Sequence, residues 1–156
     1  MATTLYNPFK QFQFDSDICF LTGNKLQSEE ESIHVFPAWM MKSFQLEDKH
    51  FKMLDENLVT YKSLKLPCSI ADAEAIEQME RAVEQSFEQG YDAVKKLDHL
   101  SVFQWMTKMI NGVVFNEILA GIRQKKAAGE DMNFSQALAH RFTNLHAMLQ
   151  SLVVPL

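Results

Sequence analysis

Hydrophobic side chains recur at spacings of three and four residues through the second half of the chain, which is typical of amphipathic α-helices. A first long helix, interrupted at Gly90 and flanked by a stripe of glutamates, is predicted from Ile76, Met79, Val83, Phe87, Tyr91, Val94 and Leu97. A second is predicted from about residue 100 to residue 128, stopping at Gly129, and its broad apolar arc predicts the most buried helix. A third is predicted to begin at Asn133 or Ser135 and to run until Pro155.

The first 70 residues have a different pattern. Short β-favouring or mixed segments, such as residues 33–36 and 57–61, are separated by turn residues that include Gly23 and Pro37. The predicted fold class is therefore α+β, mostly helical, with a small irregular N-terminal α+β region (1–70) packed on two or three long C-terminal helices (71–156). We expect a single domain over 1–156, because no linker or repeat divides the chain.

Composition and charge exclude several classes of protein. The 156 residues are 47% hydrophobic with only 5 Gly and 4 Pro, unlike disordered, collagen-like or transmembrane chains. The net charge is −5, and residues 1–104 carry 10 basic and 17 acidic side chains. No basic stretch suits a phosphate backbone, so we expect neither strong nucleic-acid binding nor a membrane partner. Two cysteines and an opening without a signal-peptide pattern predict a cytoplasmic protein.

The chain ends on an apolar run with no polar continuation. Such a run either folds back onto the helices or packs against a second chain, because exposed apolar surface is unfavourable. We favour a dimer through the C-terminus, with the interface residues Leu149, Leu152, Val153, Val154 and Leu156. The run also fits a chain that is shortened at its C-terminus relative to longer proteins.

Three short motifs suggest an ancestry. Residues 19–26 read Cys-Phe-Leu-Thr-Gly-Asn-Lys-Leu, residues 33–39 read Ile-His-Val-Phe-Pro-Ala-Trp, and residues 67–73 read Pro-Cys-Ser-Ile-Ala-Asp-Ala. In this order they resemble an HNH-type (ββα-metal) endonuclease module of the bacterial subgroup that reads Cys-x-x-Cys-Gly, Glu-His-Val-Phe-Pro-x-Trp and Pro-Cys-x-x-Cys-Asn. The resemblance continues through Met79-Glu80, residues 105–112 and residues 146–151, and so covers most of the chain.

The resemblance implies a zinc site whose ligands have been lost. In that family two Cys-x-x-Cys knuckles hold a structural zinc ion between four thiolates. This chain keeps one cysteine of each knuckle, and the former ligand positions are Cys19, Thr22, Cys68 and Ala71, or Ser69 and Asp72 if the alignment shifts by one residue. We therefore expect no metal and no cofactor, and two sulfurs within roughly 7 Å of each other. A zinc ion held by Cys19, Cys68, Asp72 and a further ligand is the alternative.

The resemblance also implies a nuclease site in which a histidine acts as general base beside a metal-binding acid. His34 matches that histidine, whereas Ile33 occupies the acidic position. Asp72 or Ala73 stands where the family has an Asn that orients the histidine. A base without its metal does not stabilise a phosphate transition state. We interpret His34 as a relic general base in a non-catalytic HNH-like domain that serves as a structural or protein-interaction module, with an unknown protein or itself as partner.

Two alternatives remain open. One is a metal-dependent HNH-type nuclease that uses His34 as general base with a ligand set such as Asp72 and Glu74. The other is a helical ligand-binding or metal protein whose similarity to the family is accidental.

Overall fold

A computed structural model of the chain describes residues 14–28, 30–130 and 135–153. In these residues, short strands are followed by long helices. The α+β, mostly helical prediction is confirmed. The strands are β1 (Ser32–His34), β2 (His50–Lys52), β3 (Leu58–Thr60) and β4 (Lys65–Pro67). The helices are α1 (Ala38–Ser43), α2 (Ile70–Gln89), α3 (Tyr91–Lys95), α4 (His99–Ala127) and α5 (Gln136–Gln150), and a 3-10 turn covers Tyr61–Ser63.

The strands form two antiparallel pairs that bring distant segments together. Ile33 of β1 lies opposite Leu66 of β4, and Phe51 of β2 lies opposite Val59 of β3. A tight turn before β1 contains Gly23, whose φ of 76° lies in the left-handed region that favours glycine. The Phe20 amide donates to the Pro67 carbonyl at 2.8 Å, so this turn lies directly beside the end of β4.

The helix boundaries follow local signals in the sequence. The Ser69 hydroxyl accepts a hydrogen bond from the Asp72 amide and caps α2, and Ser135 caps α5 in the same way through the Leu138 amide. Gly90, with a φ of 101°, separates α2 from α3, so the predicted interruption is confirmed. The last helix ends at Gln150, earlier than predicted, and Ser151 to Val153 form turns. The predicted limits at Asn133 and Pro155 lie outside the described residues.

One hydrophobic cluster joins the N-terminal region to the helices. Its fully buried members include Cys19, Leu21, Val35, Leu66 and Leu149. Helix α4 approaches β1 and β4 so closely at Gly112 that a Cβ there would lie 2.7 Å from Val35 Cγ1. A side chain at this position would force its neighbours apart, so glycine permits the approach.

In the N-terminal half of α4, the side that faces solvent is the apolar side that the sequence predicts to be buried. Phe103, Met106 and Ile110 are 61%, 49% and 49% exposed, whereas Lys108 and Asn111 are 1% and 0% exposed. The prediction that the apolar arc of this helix is buried is therefore wrong here, because Glu80 of α2 and the carbonyls of His34 and Val35 take their polar partner, Lys108, from α4. Although this surface is apolar, none of the helices in the described ranges is both long and apolar enough to cross a membrane.

The described part of the C-terminus folds back onto the protein. Leu149 is fully buried in the chain's own core, and Leu152 and Val153 pack against that core. The choice of Leu149 as an interface residue is thereby corrected, since α5 presents Phe142, His146 and Leu149 to the interior from a single face. Val154 and Leu156 lie outside the described residues.

Candidate functional site

The positions that the resemblance assigns to zinc ligands come together in a largely buried cluster, which we call the knuckle cluster: Cys19, Thr22, Cys68, Ser69 and Asp72. The turn after Ile18 supplies Cys19 and Thr22, the end of β4 supplies Cys68 and Ser69, and the first turn of α2 supplies Asp72. The two thiols lie within hydrogen-bonding reach of each other. The prediction that Cys19 and Cys68 are neighbours is confirmed, although their sequence positions are far apart.

The Asp72 carboxylate is the centre of this cluster. Its Oδ2 atom accepts hydrogen bonds from Ser69 Oγ at 2.7 Å, Thr22 Oγ1 at 3.2 Å and Cys19 Sγ at 3.2 Å. Ala71 is exposed on the surface of α2. The assignment of Ala71 as a former ligand position is therefore corrected: the residue that faces Cys19 and Thr22 is Asp72, because the next position along a helix points about 100° away.

The two thiols have shifted pKa values of opposite sign. The hydrogen bond from Cys68, helped by one from Thr22, lowers the pKa of Cys19 to about 6, while burial opposes the shift. The hydrogen bond to Cys19 and burial both raise the pKa of Cys68. The nearby charge of Asp72 also raises the pKa of Cys68, because like charges repel. When protonated, Cys19 donates to Asp72; when ionised, it accepts from Cys68.

The residues present do not fit a structural zinc ion. Zinc needs four ligands in a tetrahedron, and Thr22 offers a neutral hydroxyl where the family has a thiolate. Asp72 Oδ2 already accepts three hydrogen bonds. Within residues 14–28, 30–130 and 135–153, no three His, Cys, Asp or Glu side chains are grouped so as to hold a metal ion. The alternative of zinc bound by Cys19, Cys68 and Asp72 therefore lacks the required geometry.

A buried lysine connects β1 to the long helices. The ammonium group of Lys108, on α4, donates to the His34 carbonyl and, at 2.7 Å, to the Val35 carbonyl. It also lies 2.7 Å from Glu80 Oε1 of α2, a contact that is an ion pair without hydrogen-bond geometry. Burial lowers the pKa of Lys108, and the Glu80 carboxylate opposes this shift.

Sequence reasoning did not single out Lys108 as a functional or structural centre. A signal was nonetheless present, because Lys108 is the one Asp, Glu, Lys or Arg between Asp98 and Glu117. A single charge in an otherwise uncharged helical stretch either faces solvent or is buried with a partner. Only the packing of α4 against β1 and α2 decides between the two.

The side chain of His34 lines an open cavity of about 460 Å³ between β1, α1 and α2. Glu77, Glu80 and Glu84 of α2 line the same cavity, together with Lys42 and Arg81. Cys68 and Glu74 instead line a separate depression that includes Ser28 and Glu31. Of the ligand set considered for a nuclease, Asp72 faces the knuckle cluster and Glu74 this second depression, so neither lines the His34 cavity.

An aromatic cluster lies at the edge of the His34 cavity. The rings of Trp39 and Trp105 are stacked with their centroids 6.1 Å apart, and Phe87 contacts both at 5.3 Å and 5.7 Å. These side chains link α1, α2 and α4. The cluster therefore holds together the three helices that surround His34 and Lys108, through packing that aromatic pairs favour.

The geometry thus places the knuckle cluster and the Lys108 site in the interior, and the exposed His34 in a cavity. The HNH resemblance rests on motif order in the sequence and stays a prediction. In comparisons with known proteins, no family model, no curated protein and no solved structure matches this chain.

Proposed function

We propose that this chain is a non-catalytic HNH-like domain that serves as a structural or protein-interaction module in a reducing, cytoplasmic environment. The observation that carries the proposal is the pairing of Glu80 with Lys108 at 2.7 Å, directly behind the strand that bears His34. A carboxylate neutralised by a buried ammonium group is a poor ligand for a divalent metal. The free, adjacent thiols of Cys19 and Cys68 are in keeping with a reducing compartment.

The residue beside His34 supports the same interpretation. Ile33, at the position where the family has an acid, packs against the hydrophobic core. The remaining carboxylates of the cavity belong to Glu77 and Glu84 on the surface of α2, and Glu77 lies 3.8 Å from Arg81. Nothing in this arrangement would hold a metal against a scissile phosphate, where stabilisation of developing charge is most of the catalytic task.

The HNH-like scaffold can be tested by rebuilding its zinc site. Substituting both Thr22→Cys and Asp72→Cys places four thiols at the knuckle cluster, with spacings of Cys-x-x-Cys and Cys-x-x-x-Cys that zinc sites tolerate. We expect this variant to bind one zinc ion per chain, measured by plasma mass spectrometry of the dialysed protein.

The matched control for this experiment is Thr22→Cys with Ala71→Cys, which adds the same number of thiols. Because Ala71 is exposed on α2, this pair is not expected to complete the site. A rebuilt variant that keeps its circular dichroism spectrum but binds no zinc would remove the main support for the resemblance.

A second function, metal-dependent DNA cleavage, is favoured by one observation: the cavity brings His34 together with Glu77 and Glu84. Our proposal predicts no nicking of supercoiled plasmid with Mg²⁺ or Mn²⁺ and no tight duplex binding at physiological salt. Helix α2 presents Glu74, Glu77 and Glu88 to solvent, and these carboxylates repel phosphates.

Plasmid nicking is measured for the unmodified chain, for His34→Ala and for His50→Ala, a control at another exposed histidine. Nicking that is lost in His34→Ala and kept in His50→Ala would replace our proposal with the nuclease function. Equal nicking by all three proteins would indicate a contaminating nuclease, and the assay would be repeated after further purification until the three differ or none is active.

A further inference from the structure

The two cysteines of the knuckle cluster form a buried pair of free thiols. Their main chains lie side by side, because the amide of Phe20, next to Cys19, donates at 2.8 Å to the carbonyl of Pro67, next to Cys68. The two thiols lie within hydrogen-bonding reach of each other. Main chains this close are what a disulfide requires, since the bond spans α-carbons roughly 4.4–6.8 Å apart.

Each sulfur can give up its present hydrogen bond without leaving the acceptor unpaired. Cys19 Sγ donates to Asp72 Oδ2, but that oxygen also accepts from two hydroxyl groups of the cluster, at 2.7 Å and 3.2 Å. Cys68 Sγ donates at 3.5 Å to the Ser69 carbonyl, which also accepts from the Ala73 amide at 2.9 Å. Since thiols are weak donors, a bond between the two sulfurs costs the cluster little.

An open depression of about 740 Å³ leads to this pair, and Cys68 lines it. Of the described residues that line the depression, none is Lys or Arg, and four are glutamates: Glu30, Glu31, Glu74 and Glu77. A lining of one sign repels reagents of the same sign. A small neutral hydroperoxide therefore reaches the thiols more readily than an anionic disulfide such as that of glutathione.

We propose that Cys19 and Cys68 are an oxidative modification site, which a hydroperoxide converts into an intramolecular disulfide and which thiols of a reducing compartment restore. With hydrogen peroxide, the Cys19 thiolate attacks one oxygen and the O–O bond breaks, which leaves a sulfenic acid on Cys19 and a hydroxide. That hydroxide takes up the proton that Cys19 lost on ionising and leaves as water.

The second step closes the bridge. The Cys68 sulfur attacks the Cys19 sulfur, the S–O bond breaks, and the departing hydroxide takes the Cys68 proton and leaves as water. Together the two thiols lose two electrons and two hydrogens, and one peroxide is reduced to two waters.

The order of the two steps agrees with the state of each thiol. The hydrogen bond from Cys68 lowers the pKa of Cys19 to about 6, so Cys19 supplies the thiolate that reacts with peroxide. The hydrogen bond to Cys19 and burial raise the pKa of Cys68. Cys68 therefore stays protonated beside Cys19, where a resolving thiol is needed.

The first experiment treats the full, folded chain with hydrogen peroxide, blocks the remaining thiols with N-ethylmaleimide in denaturant and maps the digest by mass spectrometry. We expect a peptide pair joined through Cys19 and Cys68 in monomeric protein, and dithiothreitol should restore both thiols. The half-exposed Met106 is an internal reference for the peroxide. The thiols should be lost roughly tenfold faster than Met106 is oxidised, because a thiolate reacts faster than a thioether.

A second experiment separates the roles of the two cysteines. Cys68→Ser removes the resolving thiol, so the sulfenic acid on Cys19 should persist and be captured by dimedone. Cys19→Ser is the matched control, and its remaining thiol should be labelled roughly fivefold less or weaker still, because burial keeps it protonated. Circular dichroism checks that both variants are folded. Equal labelling of the two would overturn the assignment of Cys19 as the thiol that reacts first.

The bridge should also change how the chain unfolds. It ties the turn after Ile18 to the end of β4 and restricts the unfolded chain, so the oxidised protein should unfold at a higher urea concentration than the reduced one. Dithiothreitol should return the midpoint to its original value. A lower midpoint after oxidation would show that the cluster does not accommodate the bond.

Other outcomes would overturn the proposal directly. Two free thiols in a digest whose Met106 is already oxidised would do so, as would bridges that link different chains. At equal concentrations, faster loss of the thiols with glutathione disulfide than with hydrogen peroxide would overturn the choice of oxidant. None of these results bears on plasmid nicking, which tests the absence of catalysis.

Discussion

Replacing Lys108 by methionine is expected to lower the free energy of unfolding by about 3–5 kcal/mol, the usual effect of removing one partner of a buried ion pair. Methionine has a similar length, so the change removes the charge and the donors with little loss of volume. Glu80 would keep a carboxylate, only 16% exposed, without its counter-ion, and the carbonyls of His34 and Val35 would lose their donor. Urea unfolding followed by circular dichroism measures the difference.

The matched control is Lys62→Met, at the exposed end of another ion pair. Lys62 Nζ lies 2.6 Å from Asp48 Oδ1, a distance close to that of the buried pair, but both side chains are more than half exposed. Solvent screens such a pair, so this substitution should leave the free energy of unfolding nearly unchanged.

A double variant separates the contributions at the buried pair. Adding Glu80→Leu to Lys108→Met removes the unpaired carboxylate and should recover part of the lost stability, while the two carbonyls remain without a donor. If Lys108→Met and Lys62→Met had equal effects, Lys108 would not be the structural centre that its contacts indicate.

Acidification from pH 6.5 to pH 4 is expected to destabilise the chain by about 3 kcal/mol through His146 alone. Burial lowers the pKa of His146 in the folded protein to about 4, and its Nε2 atom lies 2.6 Å from the Phe20 carbonyl. The unfolded chain has a pKa of about 6.5 at this residue and therefore binds a proton that the folded chain excludes between these values. The free energy of unfolding that depends on neutral His146 is therefore fully present above pH 6.5 and is lost as the pH falls towards 4.

The test compares the pH dependence of unfolding in three proteins. His146→Gln removes the titration and keeps an amide that can donate to the Phe20 carbonyl, so its stability should fall less steeply with acid. His140→Gln changes an exposed histidine of the same helix and should retain the slope of the unmodified chain. Since carboxylates titrate equally in all three, only the difference between slopes reports on His146. Parallel slopes for all three would show that His146 is not buried in its neutral form.

Several elements could be predicted from the sequence because their causes are local. The spacing of Ile76, Met79 and Val83 produces the buried side of α2, and all three are buried in the structure. Gly90 ends that helix because it adopts a φ of 101°, which other residues avoid. Ser135 begins α5 because its hydroxyl pairs an amide that the helix leaves free. Each of these signals acts within about one helical turn.

The orientation of α4 could not be predicted in the same way. Its sequence has apolar residues on almost every side, so the periodicity does not select a buried face. The burial of Lys108 in preference to Phe103 depends on β1 and Glu80, which come from other parts of the chain. A buried carboxylate and two carbonyls are unfavourable without donors, and this requirement outweighs the gain from burying one ring.

The knuckle cluster shows the same division between local and tertiary causes. Local sequence accounts for the two cysteines, the turn at Gly23 and the capped start of α2, and the resemblance predicts that Cys19 and Cys68 are neighbours. That Asp72, and not Ala71, faces Cys19 depends on tertiary packing, because the angle at which α2 leaves β4 selects which residue of its first turn points inward. Side-chain periodicity is a local property of the chain, whereas the direction of a helix relative to its neighbours is set by packing and by the pairing of buried polar groups.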